Sequence, residues 1–290
     1  MPESFGFFNV DKPNGLTSHD VVAKIRRHLK LKKVGHAGTL DPLATGVLII
    51  CVGGATRLSD YVMHATKVYR ARVRLGVTTT TYDSEGDIVQ QFDCSHIEQA
   101  DVEQALGKFL GEIEQIPPMH SAIKVGGRKL YDLARAGEVI ERQPRPVRID
   151  SLTMKDWSLP EFTVDVVCSA GTYIRSLVHD IGDVLGVGAH LTGLVRLASS
   201  TFEQTAAVPL DTLLTSEHWQ EFLIAPHHAL AGWPHMVVQP ADIEHLRHGR
   251  ALSQTSEGEE SIAFAYDSHD QLIAILQVKN GQWHPHKVFV

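Results

Sequence analysis

The chain has 290 residues, 43% hydrophobic and 21% charged, enough apolar material for a buried core and not the composition of a disordered chain. Its formal net charge of −7 is the wrong overall sign for a nucleic-acid binder, so any such role depends on where charge sits. The longest apolar run, Val47 to Val52, is far too short to cross a bilayer, so no membrane contact is expected. Met1 to Val10 lacks the charged-then-apolar layout of a signal peptide. The three cysteines, Cys51, Cys94 and Cys168, are scattered, which gives neither a disulfide framework nor a thiolate zinc site. Each is read as a small buried apolar residue in a reducing, cytoplasmic setting.

In chain order, Ser18 precedes Val21, Val22, Ile25 and Leu29 at helical spacing and is read as the N-cap. The opposite face opens a basic run, Lys24-Ile-Arg26-Arg27-His28-Leu-Lys30-Leu-Lys32-Lys33. A glycine-rich turn region follows from Gly35 to Gly46. Val47 to Val52 is predicted as a buried strand and Ala55 to Met63 as a short helix. Val68 to Leu75 alternates strictly, with Tyr69, Ala71, Val73 and Leu75 on one face and Arg70, Arg72 and Arg74 on the other, which predicts a half-exposed strand. Val102, Ala105, Leu106 and Phe109 mark a helix.

Ile116-Pro117-Pro118 breaks the chain before a second basic segment, Ser121 to Arg148, whose middle from Arg128 to Ala136 is predicted as a short helix ended by Gly137. Polar, basic and punctuated by Gly126-Gly127, this segment is expected to be mobile in the free protein. Glu161 to Ser169 is predicted as a strand, and Thr172 as the cap of a helix that carries Ile174, Leu177, Val178, Ile181 and Leu185 and ends at Gly186. His190 to Thr201 is extended, and a helix is expected around Glu217 to Leu223. Short strands at Ile262–Tyr266, Leu272–Val278 and Lys287–Val290 suggest a small β-rich C-terminal unit. The 17 histidines, His284 and His286 among them, lack the spacing of a second ligand set, so no metal is expected.

Taken alone, Asp41 is a turn residue, Tyr69 a core aromatic and Arg175 a helix-surface charge. Several motifs read together change that. Gly35-His-Ala-Gly-Thr-Leu-Asp-Pro-Leu-Ala-Thr-Gly46 closely resembles the catalytic motif of the TruB family of tRNA pseudouridine synthases. Asp11-Lys-Pro-Asn-Gly15, Lys67-Val-Tyr-Arg-Ala71, Thr80-Thr-Tyr-Asp83-Ser-Glu-Gly86, Ser121-Ala-Ile-Lys124, Lys129-Leu-Tyr-Asp-Leu-Ala-Arg135 and Cys168-Ser-Ala-Gly-Thr-Tyr173-Ile-Arg175 match further family motifs in order. The similarity covers about Phe5 to Phe202.

The resemblance implies an α/β (α+β) pseudouridine synthase fold, a central mixed sheet with flanking helices. The catalytic domain would span 1–232, with an RNA-gripping insertion at about 117–148, and a small β-rich PUA-like RNA-binding domain would span 233–290. It implies isomerisation of the T-loop uridine of tRNA, conventionally numbered 55. Asp41 would be the catalytic carboxylate, Arg175 its paired cation and Tyr69 the ring that stacks on the target base. His36 would enter the space the flipped nucleotide leaves, and Tyr173 and Leu194 would line the uracil pocket. Lys12, Lys124, Arg128, Lys129 and Arg135 would contact RNA. The expected partner is the tRNA T-arm, met by a monomer with no protein partner.

The chemistry agrees with this reading. Breaking C1′–N1, rotating uracil and rejoining through C5 needs no redox step, so no cofactor is expected. An ionised carboxylate serves either as nucleophile at C1′ or as base on a sugar proton. A close guanidinium favours that ionised form, by roughly 1–3 pKa units for a carboxylate–arginine pair. Two alternatives stand beside the enzyme: an RNA chaperone that opens and refolds tRNA, and a synthase that depends on a guide RNA.

Overall fold

A computed structural model describes residues 5–119, 121, 124–130, 133, 138, 140–252 and 261–290. Its frame is a ten-stranded mixed sheet. The main path runs Val208–Pro209, Gly6–Lys12, Ala44–Val52, Ala189–Ser199, Lys67–Leu75, Glu161–Cys168, Arg145–Ser158 and Gly111–Gln115. Val34–Ala37 adds to Ala44–Val52, and Phe202–Glu203 adds to Ala189–Ser199.

Both faces of the sheet centre are covered. On one, Phe8, Val10, Leu48, Ile50, Val73 and Val166 pack with the apolar sides of three helices, Ser18–His28, Gln99–Gly107 and Ile174–Leu185. On the other, Phe7, Val47, Ile49 and Cys51 meet Phe264, Tyr266, Leu272 and Ile275 from the C-terminal region. A strand buried on two sides needs a continuous apolar sequence, which is why Val47–Val52 does not alternate. Each fully buried Leu, Ile or Phe contributes about 1.5–3 kcal/mol. Lys67–Leu75 alternates because Arg70, Arg72 and Arg74 face solvent. There Arg70 pairs with Asp165, and Arg72 and Arg74 pair with Glu161 on the adjoining strand.

A second, four-stranded sheet, ordered His235–Val237, Ile262–Tyr266, Leu272–Lys279 and Gln282–Val288, follows the large one. Helix Pro240–Arg247 lies beside it, and Leu246, Ala263, Ile273, Leu276 and Trp283 make its own core. Of the cysteines, Cys51 and Cys168 are buried and Cys94 is half-buried; all three are free. Among the described residues no helix is long and apolar enough to cross a membrane.

Several local expectations change. Thr17, not Ser18, caps the first helix, in a capping box with Asp20. Tyr173, not Thr172, is the N-cap of Ile174–Leu185, and the Thr172 hydroxyl instead donates to the Ser169 carbonyl. Gly186 ends that helix with φ +74°, as expected of a glycine C-cap. Ala55–Met63 splits into a 3-10 turn, Gly53–Arg57, and helix Ser59–Met63. The helix expected at Glu217–Leu223 is only a 3-10 turn, Trp219–Phe222, preceded by helix Leu210–Thr215. The last strand lies earlier than expected, at Gln282–Val288. In the insertion, Lys124–Val125 and Arg128–Lys129 pair as a hairpin turned at Gly126 and Gly127, so the expected helix does not begin at Arg128. Residues 131, 132 and 134–137 lie outside the described residues, and with them much of the expectation that this insertion is mobile.

Candidate active site

Asp41 sits in the turn between strands Val34–Ala37 and Ala44–Val52, and the peptides around it are tied down one after another. The Ser18 hydroxyl accepts from the Leu40 N–H at 2.9 Å and donates to the Leu40 carbonyl at 3.1 Å. The Pro42 carbonyl accepts from the Gly15 N–H at 2.9 Å and the Lys12 ammonium at 3.3 Å. The Arg196 guanidinium donates to the carbonyls of Gly38, Thr39 and Val47 at 3.1, 3.4 and 2.7 Å. Gly46 closes the turn with φ +89°, and a Cβ there would stand 2.4 Å from the Arg196 carbonyl oxygen. The carboxylate is therefore held by a rigid backbone before any ligand arrives.

Arg175, in the first turn of helix Ile174–Leu185, grips that carboxylate at two points, with Nε 2.9 Å from Oδ2 and Nη2 donating to Oδ1 at 3.1 Å. It is 5% exposed, whereas the Asp41 side chain keeps 38% exposure. Arg175 also donates to the Thr81 carbonyl at 3.2 Å and lies 3.5 Å from the buried Asp83 carboxylate. Asp83 is fixed in turn by the Thr81 hydroxyl and the Glu85 N–H. One buried cation thus serves two carboxylates, only one of which opens to solvent.

Arg175 favours the ionised form of Asp41 as expected, but it does not decide the net direction. Burial raises the carboxyl above its ordinary range and the neighbouring Asp83 adds to the rise, while Arg175 and Lys12 oppose it. Dense protein surrounds a group whose outer edge alone meets solvent, so desolvation outweighs the pair.

Tyr69 is 7% exposed on Lys67–Leu75, in register with Arg196 on one side and Val166 on the other. Two residues on, Ala71 faces Leu194, which in turn faces Ala44 at the exit of the Asp41 turn. Tyr69, Leu194, Leu40 and Ala44 belong to one apolar cluster. Burial raises the Tyr69 hydroxyl, and Asp41 is near enough to raise it further, so its ring is neutral at ordinary pH. Tyr173 lies half-buried at the start of the Arg175 helix, its peptide clamped on both sides by the Gln115 amide at 2.7 and 3.0 Å. Burial raises its hydroxyl as well, again with a contribution from Asp41. The structure therefore brings Asp41, Tyr69, Arg175, Tyr173 and Leu194 to one region.

His36 lies on strand Val34–Ala37, which leads into the Asp41 turn. Its ring meets His19 edge-on at 5.2 Å, and burial, then His19 and Arg196, lower it to about 4, so it is uncharged. Lys12, expected on the RNA surface, is 0% exposed, and its ammonium is taken up by the carbonyls of Pro13 and Pro42. Burial lowers it to about 8. It braces the Asp41 turn and is not open to a phosphate. Arg128 is exposed and forked onto Glu138 at 3.0 and 3.1 Å. Lys124 and Lys129 face each other across the hairpin backbone, and Arg135 lies outside the described residues. Among the described residues no cluster of His, Cys, Asp and Glu is arranged to hold a metal.

Sequence reasoning assigned no role to Arg196, Asp83 or Gln115, and read Ser18 only as a helix cap. Arg196 is 1% exposed; its guanidinium donates to three backbone carbonyls and also meets the Tyr69 hydroxyl. An Arg196→Met protein is expected to lose about 3–5 kcal/mol, since a buried acceptor left unpaired costs about 1–3 kcal/mol. A thermal melt reads this as a fall of roughly 10 °C.

Comparison with known proteins places the chain. The sequence model for the TruB family pseudouridylate synthase N-terminal domain matches residues 26–174, and that for the tRNA pseudouridylate synthase B C-terminal domain matches residues 175–242. The chain is 47% identical over 249 residues to tRNA pseudouridine synthase B of Symbiobacterium thermophilum, covering 85% of this chain and 82% of that one. It is 41% identical over 289 residues to the protein of the same name from Clostridium kluyveri, covering 98% and 99%. Among solved structures, a chain of the "Crystal Structure of a Cbf5-Nop10-Gar1 Complex" matches with a TM-score of 0.76 at 28% identity, over 99% of this chain and 85% of that one. The chain belongs to the TruB family of pseudouridylate synthases.

Proposed function

We propose that this enzyme converts uridine to pseudouridine in tRNA, at the T-loop position, with Asp41 as its catalytic carboxylate. The observation that carries the reading is the two-point Arg175–Asp41 pair beside the buried Tyr69 ring. The reaction conserves the atoms of the nucleotide: C1′–N1 breaks, C1′–C5 forms, a proton leaves C5 and one arrives at N1. The open edge of the Asp41 carboxylate acts at the ribose, on C1′ or on a sugar proton. Extruding the uridine from its folded loop costs a few kcal/mol, and stacking on Tyr69 returns about 1–3 kcal/mol. Leu194 and Tyr173 complete an apolar wall, and a neutral His36 takes the space left in the loop.

The supporting surfaces are read in the same way. The hairpin Lys124–Lys129, together with Arg135, grips the arm, and the four-stranded C-terminal sheet, from residue 233 on, is a PUA-like RNA-binding unit. Three free cysteines suit a reducing cytoplasm. The enzyme works as a monomer, without cofactor, guide RNA or partner protein. The test is tritium release from a T-arm stem-loop transcript carrying 5-³H-uridine, with purified protein alone. Release with one tritium lost per T-loop uridine is expected. Release only after adding a guide RNA and partner proteins would replace this reading with the guided one, and tight binding without release would replace it with the chaperone.

A further inference from the structure

Two rows of cations on this molecule behave differently. Arg70, Arg72 and Arg74 are neutralised by Asp165 and Glu161 on the neighbouring strand. The segment from Lys24 to Lys33 holds six lysines and arginines and no acidic residue. Lys24, Arg26, Arg27, Lys30, Lys32 and Lys33 are all exposed, and among the described residues none of them is paired with a carboxylate. A helix C-terminus attracts basic residues, and that accounts for Arg26, Arg27 and His28. It does not account for Lys30, Lys32 and Lys33, which lie beyond the helix end.

The backbone under these charges is fixed. Leu29 and Leu31 turn inward against the main core, leaving Lys30 and Lys32 outward. The Leu31 N–H donates to the Arg26 carbonyl at 3.1 Å, and the Lys33 carbonyl accepts from the Gly53 N–H at 2.9 Å. The stretches of chain on either side of the segment lead to the site. The start of the helix is bonded through Ser18 to Leu40, next to Asp41. His19 touches His36, and the strand that follows Lys33 carries His36 into the Asp41 turn. At 1.5 Å per residue the helical part of the basic run, residues 24–28, covers roughly 7 Å, about two phosphate steps along one strand, and residues 29–33 carry the row further.

We propose that residues 24–33 form a phosphate rail, a docking surface for the backbone of the RNA that leads into the Asp41 cleft. The proposal rests on the reading of this chain as an RNA-modifying enzyme and adds where the strand runs. Unpaired cations on a rigid ledge fit a polyanion of regular charge spacing, whose binding gains free energy by releasing counterions.

The test is a Lys24→Gln/Arg27→Gln/Lys30→Gln triple variant, at exposed positions outside the catalytic group. The dissociation constant for a T-arm stem-loop is measured by fluorescence anisotropy across a range of KCl concentrations. A control triple, Arg74→Gln/Lys108→Gln/Lys155→Gln, removes the same charge elsewhere. The rail predicts that the slope of log K against log salt falls by about 2–3 for three lost phosphate contacts, with affinity at least about tenfold weaker at low salt. The control should keep the native slope, and the single-turnover rate at saturating RNA should stay native in both. A native slope and affinity in the first triple would overturn the proposal, as would an equal loss in the control. Because the readout is binding, failure of the rail is distinguishable from failure of the catalytic assignment, which tritium release reports.

Discussion

An Arg175→Met protein is expected to melt roughly 10 °C below the native chain and to convert uridine at least about a hundredfold more slowly. The arginine lies between two carboxylates, 2.9 Å from Asp41 and 3.5 Å from Asp83. Without it Asp83 remains a buried charge whose cation is gone, and breaking such a pair costs about 3–5 kcal/mol. Asp41 loses the influence that most opposes its burial, so its already raised pKa climbs further. A carboxyl raised in the folded state binds its proton more tightly there than in the unfolded chain, so acidification favours the folded form. The melting deficit of Arg175→Met should therefore shrink as pH falls, while its acid activity limb moves toward neutrality. Arg175→Lys restores the charge but not the fork, and should recover stability more than rate. Thermal melts and single-turnover rates across pH check both statements; a deficit that widens on acidification would contradict them.

An Asp41→Asn protein is expected to lose turnover by on the order of 10³-fold or more and to bind T-arm RNA almost as the native chain does. The fold tolerates the change because the clamps on this turn grip the backbone of Gly38, Thr39, Leu40 and Pro42, not the Asp41 side chain. The amide oxygen of Asn can still accept from Arg175. What disappears is the ionised oxygen that either chemical role requires. On the proposed role of Asp41 its raised pKa carries an expectation for the native enzyme: activity present above that pKa and lost as pH falls through it. Filter binding of the variant should give a dissociation constant within about threefold of native.

Much of this architecture was legible where one physical pattern dominated. Lys67–Leu75 alternates because one face meets solvent, and Val47–Val52 does not because both faces are covered. Strand Arg145–Ser158 escaped because register shifts after Ile149 and Met154 break its period. Thr17 and Ser18 are adjacent hydroxyls, and local sequence does not separate a cap from a residue whose partner, Leu40, is 22 positions away. The grouping proposed as catalytic was readable through family motifs, in which Asp41, Tyr69 and Arg175 stand in order. Its support was not. Lys12 and Arg196 look like surface cations, yet both are buried and spend their donors on the carbonyls of the Asp41 turn. The net direction of the Asp41 pKa was not legible either, since a sequence displays the neighbouring guanidinium but not the desolvation around the carboxylate.

The decisive comparison is single-turnover tritium release from 5-³H-uridine T-arm RNA, native protein beside Asp41→Asn, both at saturating enzyme. The account predicts full release by the native chain and none above background by the variant over the same period. Release by Asp41→Asn within tenfold of the native rate would place the chemistry on some other group.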